Sequence, residues 1–381
     1  TVNLSSAAAD LIDATAFTGN LVLGSGVAAK VLVSQLDNVE NNSGEVHVDV
    51  NNADIKGLDA ADIAKIDMMH LAGATMDISG AQITGDKVAF GDSMVQSVTM
   101  TSDQFGALAN ASGVISDENL TIMDTVTVKI DGADGLSGLT ASGNLVASAE
   151  LIDNIVISGA GTASGVDLTP MTDFDGAIKL VSSANAGQYK LTLSADQFNM
   201  LNSTTPLKAD SEVTIKLSDK ADTVTLTKAV DTVVFEANAG NNTDVIKGFT
   251  AGSGGDKLDF SSAYTYSKLI EGDNNASAAD ALSALADAAA SGSGNLSGAA
   301  FVFNGTVNEL QDTIKTAAAA DTDWYLASGD SALAFVGNVV DGATTFSVYE
   351  VTGKGGDAEE IHLVGTVQVD HGTALDVANF A

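Results

Sequence analysis

No cysteine and no arginine occur among the 381 residues; all 16 basic residues are lysines. The first absence excludes disulfides, thiolate nucleophiles and zinc–cysteine sites. The second removes the planar fork that grips phosphates and carboxylates bidentately. Set against 50 acidic residues, the lysines leave a net charge of −34, the wrong sign for neutralising nucleic-acid phosphates. No nucleic-acid partner is expected on that ground, and nucleotide-handling enzymes are disfavoured. Proline is limited to 2 residues, tryptophan to 1 and aromatics to 5%, which argues against the aromatic platforms of a sugar-degrading cleft. No run of 18 apolar residues is present to span a membrane, and residues 1–30 lack the basic and apolar regions of a secretory leader.

Hydrophobic residues nonetheless make up 45% of the chain and glycine contributes 38 positions, enough for two or three domains with real cores. The acids are 39 Asp and 11 Glu. Aspartate suits turns and oxygen-rich cation sites, whereas glutamate is the better helix former. Acidic turns between β-strands are the reading that follows.

A weak internal repeat runs through the first 225 or so residues. Val98–Leu108 and Leu191–Leu201 both read as a strand entering a short helix. Thr101 with Gln104, and Ser194 with Gln197, have the spacing of a capping box. Phe105 with Leu108, and Phe198 with Leu201, fall on one helical face. A looser copy spans Leu58–Ile66 and another begins at Leu4. Alternating segments such as Leu21–Leu23, Val46–Val50, Leu120–Ile130, Ile155–Ile157 and Val213–Leu217 read as half-buried strands. The fold expected is mainly β: an irregular β-solenoid or stacked β-rich modules with short helices, followed by a smaller all-β C-terminal domain. A non-repeating β-sandwich is the alternative. Four regions are expected: a repeat-containing assembly domain at 1–218, a distinct segment at 219–262, an Ala/Ser/Gly-rich helix and linker at 263–300, and a β domain at 301–381 with one helix near Val307–Ala320.

Within the second region Asp222-Thr223-Val224 and Asp231-Thr232-Val233 repeat, nine apart, and lead into VVFEANAGNNTDVIKGFTAGSGGDKLDFSSA. The stretch Asp231–Ser262 resembles the end of an RTX calcium β-roll, on Asp231, Phe235, Gly240, Asp244, Ile246, Phe249, Gly252, Asp256, Lys257, Leu258, Asp259 and Ser261. Ile361–Gly365, Leu375 and Asn379-Phe380 resemble the uncleaved C-terminal signal of type I secreted proteins. The strand–SADQF–strand units are similar, less specifically, to repeats of RTX-type surface-layer proteins and giant adhesins. The resemblance implies export, calcium in tight turns, and assembly on the bacterial surface or in a biofilm matrix. Two departures weaken the calcium turns: Leu217-Ser218 and Leu226-Thr227 replace glycines of the nonapeptide, and Gly248 replaces an aspartate.

Calcium takes six to eight oxygens, from carboxylates and carbonyls. Asp231, Asp244, Asp256 and Asp259 are the ligands expected, with Asn241 and Asn242 as carbonyl donors; solvated turn aspartates are the competing reading. Asp49–Asp54 and Asp173–Gly176 begin like EF-hand loops but lack the required glycine and later ligands. His47, His70, His362 and His371 form no His-Glu-x-x-His pattern, and neither a Gly-x-Ser-x-Gly elbow nor a phosphate-binding loop is present. No catalytic residue is assigned and the chain is not expected to be an enzyme. Copies carrying −34 each repel, so self-association is expected to need divalent cations. The function expected is an extracellular structural protein that self-assembles with calcium into a bacterial surface layer or matrix filament, cell-surface polysaccharide being the second partner. The alternatives are a non-polymerising calcium-dependent adhesin or carbohydrate-binding module, and behind it a polysaccharide-degrading enzyme.

Overall fold

The computed structural model describes residues 1–4, 11–41, 43–81, 88–90, 95–110, 125–131, 152–158, 165–172, 174–181, 189–204, 207, 211–236, 243–261, 268–270, 299–304, 306–311, 328–340, 343–353, 360–370, 375 and 377–381. The chain is mainly β, with several parallel sheets. It divides into two units, Thr1–Val166 with Pro170–Ala186, and Asp167–Thr169 with Gly187–Ala381. The helix expected within 274–294 lies outside the described residues.

In the first unit the chain steps between sheets. Val2–Leu4, Leu21–Leu23 and Val39–Asn41 form one parallel sheet. Ile12–Asp13, Ala28–Val31 and Glu45–Val50, which alternate with them along the chain, belong to a second, completed by Met68–Leu71 and Val88–Phe90. Thr75–Asp77, Ser97–Thr101, Thr125–Asp131, Asn154–Ser158 and Ala177–Val181 make a third, also parallel. Alternation drives this arrangement, because every second residue of Glu45–Val50 (Val46, Val48, Val50) is fully buried. In-register pairing then stacks like on like: Val98 on Val126, and Val128 on Ile155 on Ile178. Each such side chain contributes about 1.5–3 kcal/mol on burial.

The second unit repeats the stepping. Lys190–Ser194, Glu212–Lys216, Val230–Val234 and Lys257–Asp259 are parallel neighbours. Thr223–Thr225 and Asp244–Phe249, which alternate with the last three, pair in another sheet. There Glu360–Val369 joins Asp244–Phe249 in parallel, with Ile246 opposite Val367. Ala343–Thr352 and Ser331–Val340 follow in antiparallel order, then Ala299–Asn304 and Lys268–Ile270 in parallel. The C-terminal strands therefore continue the sheet that Thr223–Thr225 and Asp244–Phe249 begin.

Both expected capping boxes are present. Thr101 N–H donates to Gln104 Oε1 at 2.9 Å and Gln104 N–H to Thr101 Oγ1 at 3.2 Å; Ser194 and Gln197 repeat this at 3.0 and 3.2 Å. Asp59 and Asp62 form the looser copy. The glutamines do more than cap. Gln104 Nε2 donates to the Ile78 carbonyl at 2.9 Å and Gln197 Nε2 to that of Leu168 at 2.8 Å. Gln35 Nε2 likewise reaches the Ala14 carbonyl at 3.2 Å. Each receiving carbonyl lies in the middle of an Asp-x-Ser/Thr turn. Asp13 accepts the Thr15 amide at 3.0 Å, Asp77 that of Ser79 at 3.1 Å, and Asp167 that of Thr169 at 3.0 Å. The internal repeat thus has a physical unit: an aspartate turn whose backbone carbonyl is tied to a glutamine 21 to 29 residues later.

Gln197 is 2% exposed. Gln197→Ala strands the Ser194 amide and the Leu168 carbonyl, and is expected to cost about 2–4 kcal/mol. Gln197→Glu keeps the acceptor and loses the donor, so it too is destabilised. Urea titration measures both losses; wild-type midpoints would remove the glutamine from the account of the repeat.

Candidate metal site

The segment Thr250–Asp256 joins the Asp244–Phe249 strand to Lys257–Asp259 as a turn closed on itself. Gly255 N–H donates to the Gly252 carbonyl at 2.9 Å and Asp256 N–H to the Thr250 carbonyl at 2.8 Å. Gly252 has φ +94, and a Cβ on Gly255 would lie 2.1 Å from the Thr250 oxygen, so only glycine fits these two places.

Asp256 is fully buried behind this turn. Its Oδ2 accepts the Thr250 amide at 2.7 Å and its Oδ1 accepts the Asp231 amide at 2.9 Å. Asp231, also fully buried, accepts the Thr227 amide on Oδ2 at 3.2 Å, while its Oδ1 is buried with no hydrogen-bond partner. Asp244, 2% exposed on the neighbouring sheet, accepts the Asp222 amide at 3.0 Å. Asp222 in turn accepts the Ser218 amide at 2.6 Å. Asp259 holds the Ser261 amide at 2.8 Å in a turn of the Asp-x-Ser type described above.

Burial dominates the electrostatics, because it strips a carboxylate of its hydration. It pushes the Asp231 carboxyl up to about 7, with the Asp256 charge adding to the rise and the Thr227 amide opposing it. Burial likewise raises Asp244 to about 6 and Asp256 to about 6 against the amides that each accepts.

The C-terminus closes the site. Asn379, fully buried, accepts the Gly252 amide on Oδ1 at 2.8 Å and donates from Nδ2 to the Asp256 carbonyl at 2.8 Å. Phe380 bridges Leu258, and Ala381 N–H donates to the Leu258 carbonyl at 3.1 Å. Phe235 stacks on Phe260 at 4.3 Å, Phe260 meets Phe335 edge-on at 5.9 Å, and Phe335 meets Phe380 at 5.2 Å.

Of the six expected ligands, Asp231 and Asp256 come together, Asp244 stands on the adjoining sheet and Asp259 turns to its own loop. Asn241 and Asn242 lie outside the described residues. Leu217 and Leu226 are buried apolar side chains. Among the described residues no group of three or more His, Asp or Glu is arranged to hold a metal. Most carboxylate oxygens of the four aspartates accept backbone amides, whereas the orphaned Asp231 Oδ1 is the oxygen a cation would satisfy.

Sequence reasoning missed the latching role of aspartate, which recurs far from this segment. Val46 N–H donates to Asp67 Oδ2 at 2.8 Å while Asp67 N–H returns to the Val46 carbonyl at 2.9 Å. Val126 and Asp153 do the same at 2.7 and 3.0 Å. Asp immediately before an alternating strand (Asp67 before Met68–Leu71, Asp153 before Asn154–Ser158) was the available signal. Asn379, quoted only as part of a tail, carried no signal for its role as a latch.

No known protein family, curated protein or solved structure matches this chain. No helix among the described residues is long and apolar enough to cross a membrane.

Proposed function

We propose that the chain is an extracellular structural protein, exported by a type I route, that self-assembles with calcium into a bacterial surface layer or matrix filament. Its stepping parallel strands are taken as irregular β-solenoid coils, and no catalysis is assigned to it. The observation that carries the reading is the strand order, in which strands alternating along the chain belong to different parallel sheets. Stacked parallel coils grow in one direction and present end strands to which further β-structure can be added. Among the described strands Val2–Leu4 stands at the edge of its sheet, hydrogen-bonded to Leu21–Leu23.

Charge supplies the dependence on calcium. Subunits at −34 approach one another only when carboxylates at the contact are neutralised, and a hard divalent cation with oxygen ligands does this. Inside the subunit, Asp231 Oδ1, beside Asp256, is the proposed point of cation contact; Asp244, Asp259, Asn241 and Asn242 are the further oxygen donors proposed for calcium. A ligand that binds only the folded state stabilises it by mass action. The chain is thereby kept loose where calcium is scarce and folds, with Asn379 and Phe380 seated, where calcium is abundant. Cell-surface polysaccharide is the proposed anchor for the layer.

Sedimentation velocity tests the reading. With millimolar calcium the protein is expected to sediment as large, chelator-reversible assemblies. A single monomeric boundary in both conditions would overturn it in favour of a non-polymerising adhesin or carbohydrate-binding module.

A further inference from the structure

His47 and His70 occupy neighbouring strands of the second sheet in the first unit, on the outward-facing positions of Glu45–Val50 and Met68–Leu71. Their rings stack at 5.2 Å and 27°, and His47 Nδ1 lies 3.0 Å from His70 Nε2. At that separation one proton at most fits between the two nitrogens. The other nitrogen of His47, Nε2, is 3.4 Å from Glu45 Oε2. A carboxylate accepts, so the His47 proton belongs on Nε2, and Nδ1 presents its lone pair to His70. This carboxylate–imidazole arrangement orients histidine ligands in metal sites. Two nitrogens bound to one Zn²⁺ at about 2.0–2.1 Å stand roughly 3.0–3.4 Å apart for bond angles of about 95–110°. The pair is therefore set at the spacing of two ligands of one ion.

We propose that His47 Nδ1 and His70 Nε2 bind a divalent transition-metal ion of the zinc, nickel or copper class, the proton of His70 Nε2 passing to Nδ1 of the same ring so that both histidines ligate as neutral imidazoles. Imidazole selects these metals over calcium, which takes oxygen, so the site is independent of the calcium proposed above. Charged groups described on this face include Glu45, the ion-paired Lys30 and Asp49, the last in register with His70, and Asp13, in register with Lys30. The net charge of −34 further favours a cation over the proton-shared pair.

With four histidines in the chain, ¹⁵N-histidine labelling gives a simple imidazole spectrum. Zn²⁺ is titrated into the full-length protein in excess calcium, so that carboxylates are already occupied, and the spectrum is read by magic-angle-spinning NMR, which calcium-dependent assembly does not broaden. The expected result is that the His47 and His70 signals move together and saturate at one equivalent, while His362 and His371 stay in place. By calorimetry, His47→Gln and His70→Gln each weaken Zn²⁺ at least tenfold, Glu45→Gln weakens it less than tenfold, and His362→Gln leaves it unchanged. Equal movement of all four histidines, or wild-type affinity in His47→Gln, would overturn the proposal. The wild-type spectrum decides the matter even if a variant fails to fold.

Discussion

Asp256→Ala is expected to destabilise the second unit by about 3–5 kcal/mol. The carboxylate is fully buried and accepts two backbone amides, from Asp231 at 2.9 Å and Thr250 at 2.7 Å. Truncation leaves the buried Asp231 amide and the part-buried Thr250 amide without their acceptor, at about 1–3 kcal/mol each, and removes a fully buried side chain from the interior. One effect opposes the loss: Asp231 is relieved of a neighbouring negative charge. That relief cannot replace two acceptors. Asp256→Asn keeps one acceptor and sets an NH₂ group against the second amide, so an intermediate loss is expected. Asp259→Ala, by contrast, breaks a single exposed bond to Ser261 and is expected to cost less than about 1 kcal/mol. Urea unfolding, with hydrogen exchange of the Val230–Val234 amides, measures the series. Equal midpoints for Asp256→Ala and Asp259→Ala would show that the latch contributes nothing.

In chelator, stability is expected to fall as pH rises from about 4 to about 8. An unfolded aspartate releases its proton near 3.8, whereas Asp231 in the fold holds it to about 7, and Asp244 and Asp256 to about 6. Across that window the native state binds more protons than the unfolded chain, so each rise in pH favours unfolding. The stability is fully present below pH 4 and has been lost once the folded groups have ionised. At about 1.4 kcal/mol per pH unit, Asp231 accounts for a loss on the order of 4 kcal/mol. Repulsion within a chain of −34 acts in the same direction, so the specific contribution is isolated by Asp231→Asn. This variant still accepts the Thr227 amide and carries no charge, and its slope is expected to be shallower. Calcium adds the second half of the test. If a cation satisfies Asp231 Oδ1, calcium restores wild-type stability at pH 8 and does so far less in Asp231→Asn. Parallel pH curves for the two proteins would remove Asp231 from the account, and equal calcium responses would remove it as a cation contact.

How much of this was legible in the sequence depended on range. Strands were readable where one face is buried, because Val46-His47-Val48-Asp49-Val50 alternates by itself. Capping boxes were readable because both partners lie within three residues, as in Thr101 with Gln104. The parallel stepping was hidden, since a strand such as Leu21–Leu23 carries no mark of which neighbour it pairs with. The third bond of each glutamine was hidden for a related reason, as Gln197 and the Leu168 carbonyl are 29 residues apart. The aspartates were conspicuous, yet their type alone does not separate a ligand for calcium from an acceptor for a backbone amide. Asp256 and Asp231 differ in that respect by one orphaned oxygen, which depends on hydrogen bonds made across the fold rather than on residue type. The histidine pair was passed over because 23 residues separate its members, outside any local metal-binding spacing.

The central claim, calcium-dependent polymerisation, is tested most directly by negative-stain electron microscopy of the purified protein in millimolar calcium, in excess chelator, and in calcium restored after chelation. The account predicts ordered sheets or fibres in the first and third conditions and dispersed particles in the second, with the symmetry of the assembly distinguishing layer from filament. Dispersed monomers throughout, or ordered assemblies that survive the chelator unchanged, would contradict it.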